Sequence, residues 1–243
     1  MTQMKDSRIR PEWLAEVMRD NPIRAVLDSK TGQPNGNYFT GPVRLSWTKD
    51  LFVAKKGDDG KEKFGCSILF PLGADYTILA QAVQQCGVAN FPQNMTASGF
   101  VWSGLKNPFH WQDEKMHQYA GYTQGAIFIN SSTFFKPMIV DTRMNPIVDE
   151  KRVYPGVWAV AAVAPYPFNN KTRGVGLGLQ SIMIIADDTN IGQGKAGNPA
   201  QDFAGINVKA DTNIAAAFGQ VAGAVPLPGT QSKEDILKSM GLA

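Results

Sequence analysis

From Val153 to Ile185 the chain reads VYPGVWAVAAVAPYPFNNKTRGVGLGLQSIMII, two long apolar segments joined by a polar, basic turn. Val157 to Val163 is apolar and rich in β-branched residues, with Pro155 and Pro165 flanking it. In the second segment Val175, Leu177 and Leu179 alternate with Gly174, Gly176 and Gly178, so one face of a strand carries core residues and the other is nearly bare backbone. This pattern predicts a long β-hairpin. Three glycines on one face call for close approach by a ring, another chain or a ligand. Trp158, Tyr166 and Phe168 are the nearest rings, with Lys171 and Arg173 at the turn. Two readings follow: cross-strand rings cover the glycines for packing, or rings and cations on an open face take a nucleic-acid strand by stacking and phosphate pairing.

The rest of the chain has the size for a full core. Its 243 residues read as one domain with irregular extensions. No segment approaches the roughly 20 apolar residues of a membrane helix, and the start, MTQMKDSRIRPEW, has no apolar signal core, so a soluble, cytoplasmic protein is expected. Cys66 and Cys86 are the only cysteines, which fits reduced, buried thiols better than a disulfide framework or a zinc site. The net charge is only +3, but it is uneven. Residues 1–70 carry 12 basic and 9 acidic side chains, residues 71–186 carry 8 and 6, and residues 187–243 carry 4 and 6. A basic body with a mildly acidic tail follows.

Along the chain, Pro11 to Asp20 predicts a short amphipathic helix packed on the body, with proline at its first turn. Ser29 to Asn37 is a linker or turn, after which the sheet is expected to start. Tyr38 to Trp47 and Phe64 to Leu72 read as strands, with Lys55 to Lys63 (KKGDDGKEK) as a charged hairpin tip between them. Ala74 to Gly87 reads as a covering helix stopped by its glycine. Leu105 to Tyr122 is a loop of rings and charges, Gly125 to Ser132 a further strand, and Asp141 to Asn145 a tight turn. Residues 187–243 are rich in Gly, Ala and Pro, which predicts a flexible extension with one short helix at Lys233 to Met240. Several short strands with one helix argue for a mainly β fold, an OB-like small barrel, rather than a parallel α/β sheet. The expected division is an N-terminal extension to 37, a barrel over 38–186 and the tail beyond.

Convergent catalytic groups are scarce. His110 and His117 stand without a metal-ligand partner at helical spacing, and no GxSxG, Walker A or HExxH pattern occurs. The alternating glycines lie inside a strand, not between a strand and a helix N-terminus, so they form no phosphate cradle. Asp187 and Asp188 read as a solvated acidic pair, like Asp58 and Asp59. What stands out instead is the interleaving of rings with cations: Arg44, Trp47, Lys49 and Phe52; Lys106, Phe109, His110, Trp111, Lys115, Tyr119 and Tyr122; then Phe134, Phe135 and Lys136. Some of these rings must build a core, and Trp47, Phe64, Phe70 and Phe128 fit that role. Phe109 and Trp111, in a polar loop, fit it least.

Taken in order, GPVRLSW followed by Leu51 and Phe52, KFGCSILFPL, DEKMHQYAGY, FFKPMIVD and the long hairpin make the chain resemble the phage single-stranded DNA-binding protein family, over Gly41 to Ala186. The resemblance implies an OB fold with added helices that coats single strands in phage replication or recombination, without sequence specificity, catalysis, cofactor or metal. It implies single-stranded DNA as partner, phage or host replication proteins as further partners, and no membrane; an oligomer is compatible with it. Carried over by position, Tyr154, Trp158, Tyr166, Phe168, Lys171 and Arg173 on the hairpin would line the groove. Arg44 and Lys49, Phe109 and Trp111 with His110 between them, and Lys136 would add stacking and phosphate contacts. Residues 1–37 lie outside the pattern. The strongly acidic tail common in such proteins is also missing, because Glu234 and Asp235 are answered by Lys233 and Lys238. The competing reading is a phage structural or assembly protein that binds other proteins through the same barrel. A nuclease stands third, with Asp141 and Asp149 as the only acids worth testing.

Overall fold

The computed structural model describes residues 7–57 and 60–192. Helix α1 spans Pro11–Asp20, as its pattern predicts, with proline at the first turn and Arg19 in the last. It is followed by β1 (Arg24–Leu27), β2 (Pro34–Ser46), β3 (Lys55–Lys56) and β4 (Glu62–Leu69), then α2 (Thr77–Asn90). The short strands β5 (Met95–Thr96), β6 (Gly99–Phe100) and β7 (Phe109–Trp111) lead to β8 (Ile127–Thr133) and β9 (Met138–Val140). The long hairpin is β10 (Trp158–Asn169) with β11 (Arg173–Ala186).

Strand β2 pairs with both β10 and β4, so the path β2–β10–β11–β8–β4 returns to β2 and closes a barrel. All of these pairings are antiparallel except β8 with β11. The first barrel strand thus sits between the second and the fourth, and the third between the second and the fifth, which is the Greek-key order of an OB fold. Closure removes the exposed strand edges of the barrel itself. The fold is mainly β and OB-like, as the sequence predicts.

Alternation supplies the core. Val43 and Leu45 of β2, Ile68 of β4, Ile129 of β8, Val163 of β10 and Val175, Leu177 and Leu179 of β11 are all buried in one cluster. Each such side chain contributes roughly 1.5 to 3 kcal/mol by leaving water. Helix α2 packs Leu79 and Val83 into this cluster and lies against β10 and β11. It does not stop at Gly87. That glycine lies inside the helix because the Phe100 ring packs on it; a Cβ there would come within 2.7 Å of the ring.

Three further departures concern the edges of elements. The sheet begins before the Ser29–Asn37 turn, since β1 pairs with β2 through Arg24↔Phe39 and Ala25↔Tyr38. The ring-rich loop is stapled: buried Gln112 donates from Nε2 to the Phe70 and Ile127 carbonyls at 2.8 and 2.7 Å and accepts from the Thr123 amide at 2.7 Å. Third, Asp187 to Gly192 belong to the body and not to a flexible extension. Ile191 is buried with Leu69, Tyr122 and Phe128, and its amide bonds the Pro155 carbonyl at 2.8 Å. The stretch from 193 onward, including the expected Lys233–Met240 helix, and the Asp58–Asp59 pair lie outside the described residues. Among the described residues no helix is long and apolar enough to cross a membrane. Both cysteines are unpaired, and burial pushes the Cys66 thiol up to about 12.

Candidate nucleic-acid interface

At the tip of the long hairpin the outer face of the barrel opens into a groove of about 810 Å3. Its walls come from three places that closure of the barrel brings together: Lys61 and Lys63 from the β3–β4 hairpin, Ser132 to Phe135 at the end of β8, and Tyr166 to Thr172 on β10 and its turn. Phe134 and Phe135 stand 55% and 82% exposed. The ammonium groups of Lys61 and Lys63 lie 5.7 and 5.2 Å from the centre of the Phe134 ring. Tyr166 and Phe168 sit 6.3 Å apart at 50°.

The bare face of β11 explains how Tyr166 is held. Tyr166 pairs directly across from Gly176, and a Cβ on that glycine would come within 2.7 Å of the ring. The ring lies flat over the backbone where any side chain would displace it. Gly174 meets the backbone of Lys106 instead, whose amide and carbonyl bond Arg173 and Val175 at 2.9 and 3.1 Å. The packing reading of the glycines therefore holds at Gly176, where Tyr166 covers the backbone and also lines the groove.

A second depression of about 450 Å3 continues the groove and shares Lys63 and Ser132 with it. Trp47, Asp50, Lys55 and Lys56 are among its lining residues. The sequence reading expects Trp47 in the core. Instead the chain leaves the strand through a left-handed residue at Trp47 (φ 57°), which ends the alternation and leaves the ring 42% exposed, edge-on to Tyr119 at 5.6 Å. Phe64 is half-buried, whereas Phe70 and Phe128 lie in the interior as expected.

Of the residues singled out in the sequence, Tyr166, Phe168 and Lys171 meet in the main groove. Arg173, absent from that lining, shares a smaller depression with Lys106 and Lys171. Lys136 is exposed next to Phe135, with its ammonium 5.6 Å from the Phe52 ring centre. Lys49 is exposed in the short 3-10 turn after β2. Trp111 is 54% exposed, but it pairs with Ile127 at the start of β8, whereas the groove is at that strand's end, roughly 17 Å away at a strand's rise per residue. Phe109 is a packing ring, half-buried on the core and 5.5 Å from Tyr76. His110 lies in strand β7, stacked on Phe128 at 5.2 Å, and His117 is exposed.

Arg44, Trp158 and Tyr154 do not line the groove. Arg44 and Trp158 are fully buried and face each other across β2 and β10. The Asp188 carboxylate binds both: Trp158 Nε1 donates to Oδ2 at 2.8 Å, and Arg44 Nη2 stands 3.4 Å from the same oxygen. Ser7 Oγ, the Arg8 amide and the Thr189 amide also donate to Asp188, at 2.6, 2.6 and 2.7 Å. Burial works to raise the Asp188 carboxyl, but these hydrogen bonds from Ser7, Arg8, Thr189 and Trp158 outweigh it and hold the group below its ordinary value. Tyr154 is tied into the same place, its hydroxyl accepting from the Asp188 amide at 3.0 Å. Gly156 (φ 107°) fits here because a Cβ would strike the Thr189 carbonyl. Asp188 is thus a buried hub, not a solvated turn residue, and the N-terminal segment closes over it with Trp13 edge-on to Trp158 at 6.3 Å.

Phe134, Phe135, Lys61 and Lys63 are the groove residues that sequence reasoning passed over as site residues. A signal was available: two consecutive rings cannot both face inward from a strand.

Asp141 and Asp149 are engaged in turns. Asp141 accepts from the Arg143 and Asn145 amides at 2.9 Å, and Asp149 from the Lys151 amide at 2.9 Å. Among the described residues no three His, Cys, Asp or Glu side chains gather as metal ligands.

Two solved structures of the single-stranded DNA-binding protein from bacteriophage Enc34 share this fold. One, in complex with single-stranded DNA, matches with a TM-score of 0.55 at 17% identity and covers 70% of this chain and 98% of its own. The other, of the same Enc34 protein, matches with a TM-score of 0.53 at 17% identity and covers 74% and 97%. No curated protein matches the sequence. The family model of the Enterobacter phage Enc34 single-stranded DNA-binding protein matches residues 37–213, well over half of the 243 residues. The chain therefore belongs to the Enc34 single-stranded DNA-binding protein family.

Proposed function

We propose that this protein binds single-stranded DNA without sequence preference, along the groove between the β3–β4 hairpin and the β10–β11 turn. The observation that carries the reading is the meeting of exposed rings (Phe134, Phe135, Tyr166) with Lys61, Lys63 and Lys171 in one open groove. An OB barrel takes oligonucleotides on the face of its second and third strands, between the loop joining the first two strands and the loop joining the last two. Here those strands are β4 and β8 and those loops are the β3–β4 hairpin region and the β10–β11 turn. Every base has a π-face, so stacking on rings is tolerant of sequence, and lysines track the backbone. Phe168, Arg173, Lys49 and Lys136 belong to the same basic rim, while Arg44, Trp158 and Tyr154 act behind it by holding the hairpin's base.

The role is coating of single strands during phage replication or recombination, in the host cytoplasm, by binding and not by catalysis. The Tyr38–Ala186 barrel does the binding, and the N-terminal segment braces it. Family membership does not favour the assembly-protein alternative. Anisotropy of a labelled oligo-dT of about 30 nucleotides, compared with a matching duplex over a salt series, tests the reading. Single-strand-selective binding that weakens steeply with salt is expected, and equal affinity for duplex would overturn it.

A further inference from the structure

The groove does not end at Tyr166. β10 and β11 pair as Ala162↔Ser181 and then Val163↔Leu179, so Gln180 is an extra residue in a β-bulge. Bulges add twist and re-aim a side chain. Gln180 is exposed and lines two depressions at once, the main groove and another of about 450 Å3 on the outer face of β1, β2, β10 and β11. The floor of this further depression is apolar, with Phe39, Val160, Ala162 and Met183. Its polar groups are Arg24, Asn37 and Gln180 among others. Arg24 and Phe39 face each other across β1 and β2, and the guanidinium lies 5.2 Å from the ring centre.

We propose that the outer face of β1–β2–β10 is a second station for the same DNA strand, entered over Gln180 and closed by the Arg24–Phe39 pair. This inference rests on the single-stranded DNA reading of the main groove. The chemistry fits a nucleotide: an apolar floor takes a base or sugar, side-chain amides offer both donors and acceptors to base edges, and an arginine held flat on a ring keeps its N–H groups for a phosphate. Continuity through Gln180 selects the strand already in the groove as the occupant. It also gives β1 a purpose that barrel closure does not, since the barrel closes without it.

The test compares the full chain with Arg24→Gln and Arg24→Lys on two oligo-dT probes of about 8 and about 20 nucleotides, within the range of OB site sizes and just beyond it. Arg24→Gln should weaken the longer probe about fivefold and lower its salt slope by about 0.7, the value for one phosphate contact on a single strand, while the shorter probe is unchanged. Arg24→Lys should keep the slope, since it keeps the charge. An unchanged affinity and slope for the longer probe, or equal loss on both lengths, overturns the second station while leaving the main groove standing. If the unaltered chain binds neither probe, the reading beneath it falls and the second station falls with it.

Discussion

The same kinds of side chain gather beside the two ends of the β10–β11 hairpin and do opposite things. At the base, Arg44 lies 6.0 Å from the Trp158 ring centre with both side chains buried. At the tip, Lys61 and Lys63 lie over Phe134 at similar distances, but in the open. A ring beside a cation is therefore not a signature of nucleic-acid contact by itself. What separates the two ends is burial beneath a lid. Asp188 neutralises Arg44 and engages Trp158 at the base, and the segment around Ser7, Arg8 and Trp13 covers the pair. One end is a brace and the other a surface.

The largest expected effect comes from breaking the brace. Asp188→Ala leaves Arg44 buried without its carboxylate, and removing one partner of a buried pair costs about 3 to 5 kcal/mol of stability. Urea unfolding should show that loss, while oligo-dT affinity of the remaining folded protein stays near its original value. The brace is also acid-labile. Because the Asp188 carboxyl is held below its ordinary value of 3.8, its contribution is full above that pH and is lost as pH falls below it. The urea midpoint of Asp188→Asn, which cannot titrate, should depend less on pH in that window than that of the unaltered protein.

Next in size are the rings at the tip. Phe134→Ala should lower single-strand affinity by about 1 to 3 kcal/mol, the worth of one stacked base, and leave urea unfolding unchanged because the ring is exposed. Tyr166→Ala should lose a similar affinity and also up to about 1 kcal/mol of stability, since it uncovers Gly176. If Phe134→Ala binds as before while Tyr166→Ala does not, stacking is confined to β10 and the exposed pair after β8 lies off the strand's path.

The contrast also explains what could be read in advance. Local signals were legible: proline and an apolar stripe mark α1, and the Val-Gly alternation marks β11. The brace was not, because it joins Ser7, Arg44, Trp158 and Asp188 only after the barrel closes. No spacing in the sequence encodes that meeting. Trp47 misled for a local reason, a single left-handed residue that ends a strand's alternation. Gly87 misled because glycine marks either a helix end or a place where another ring must pack, and only Phe100 decides which.

Removing charge at the turn should flatten the salt dependence by costing affinity most at low salt. Lys171→Ala with Arg173→Ala removes two cations of one turn, of which Lys171 lines the main groove. If both meet phosphates, the slope of log affinity against log salt falls by about 1.4, which is 0.7 for each. A fall of about 0.7 would mean that only one of the two cations meets a phosphate. Single substitutions then identify which, with Lys171 expected because it lines the main groove.

The smallest expected effect is at Trp111, the ring that the sequence places most plainly in a binding loop. It is exposed, yet it lies on β7 opposite the far end of β8, and it lines neither the main groove nor the two depressions continuous with it. Trp111→Ala should change oligo-dT affinity by less than about twofold, against the roughly fivefold or greater loss that a single stacked base implies. A larger loss would extend the strand's footprint along the whole of β8, and the division between brace and surface would then have to be drawn along that strand as well as along the hairpin.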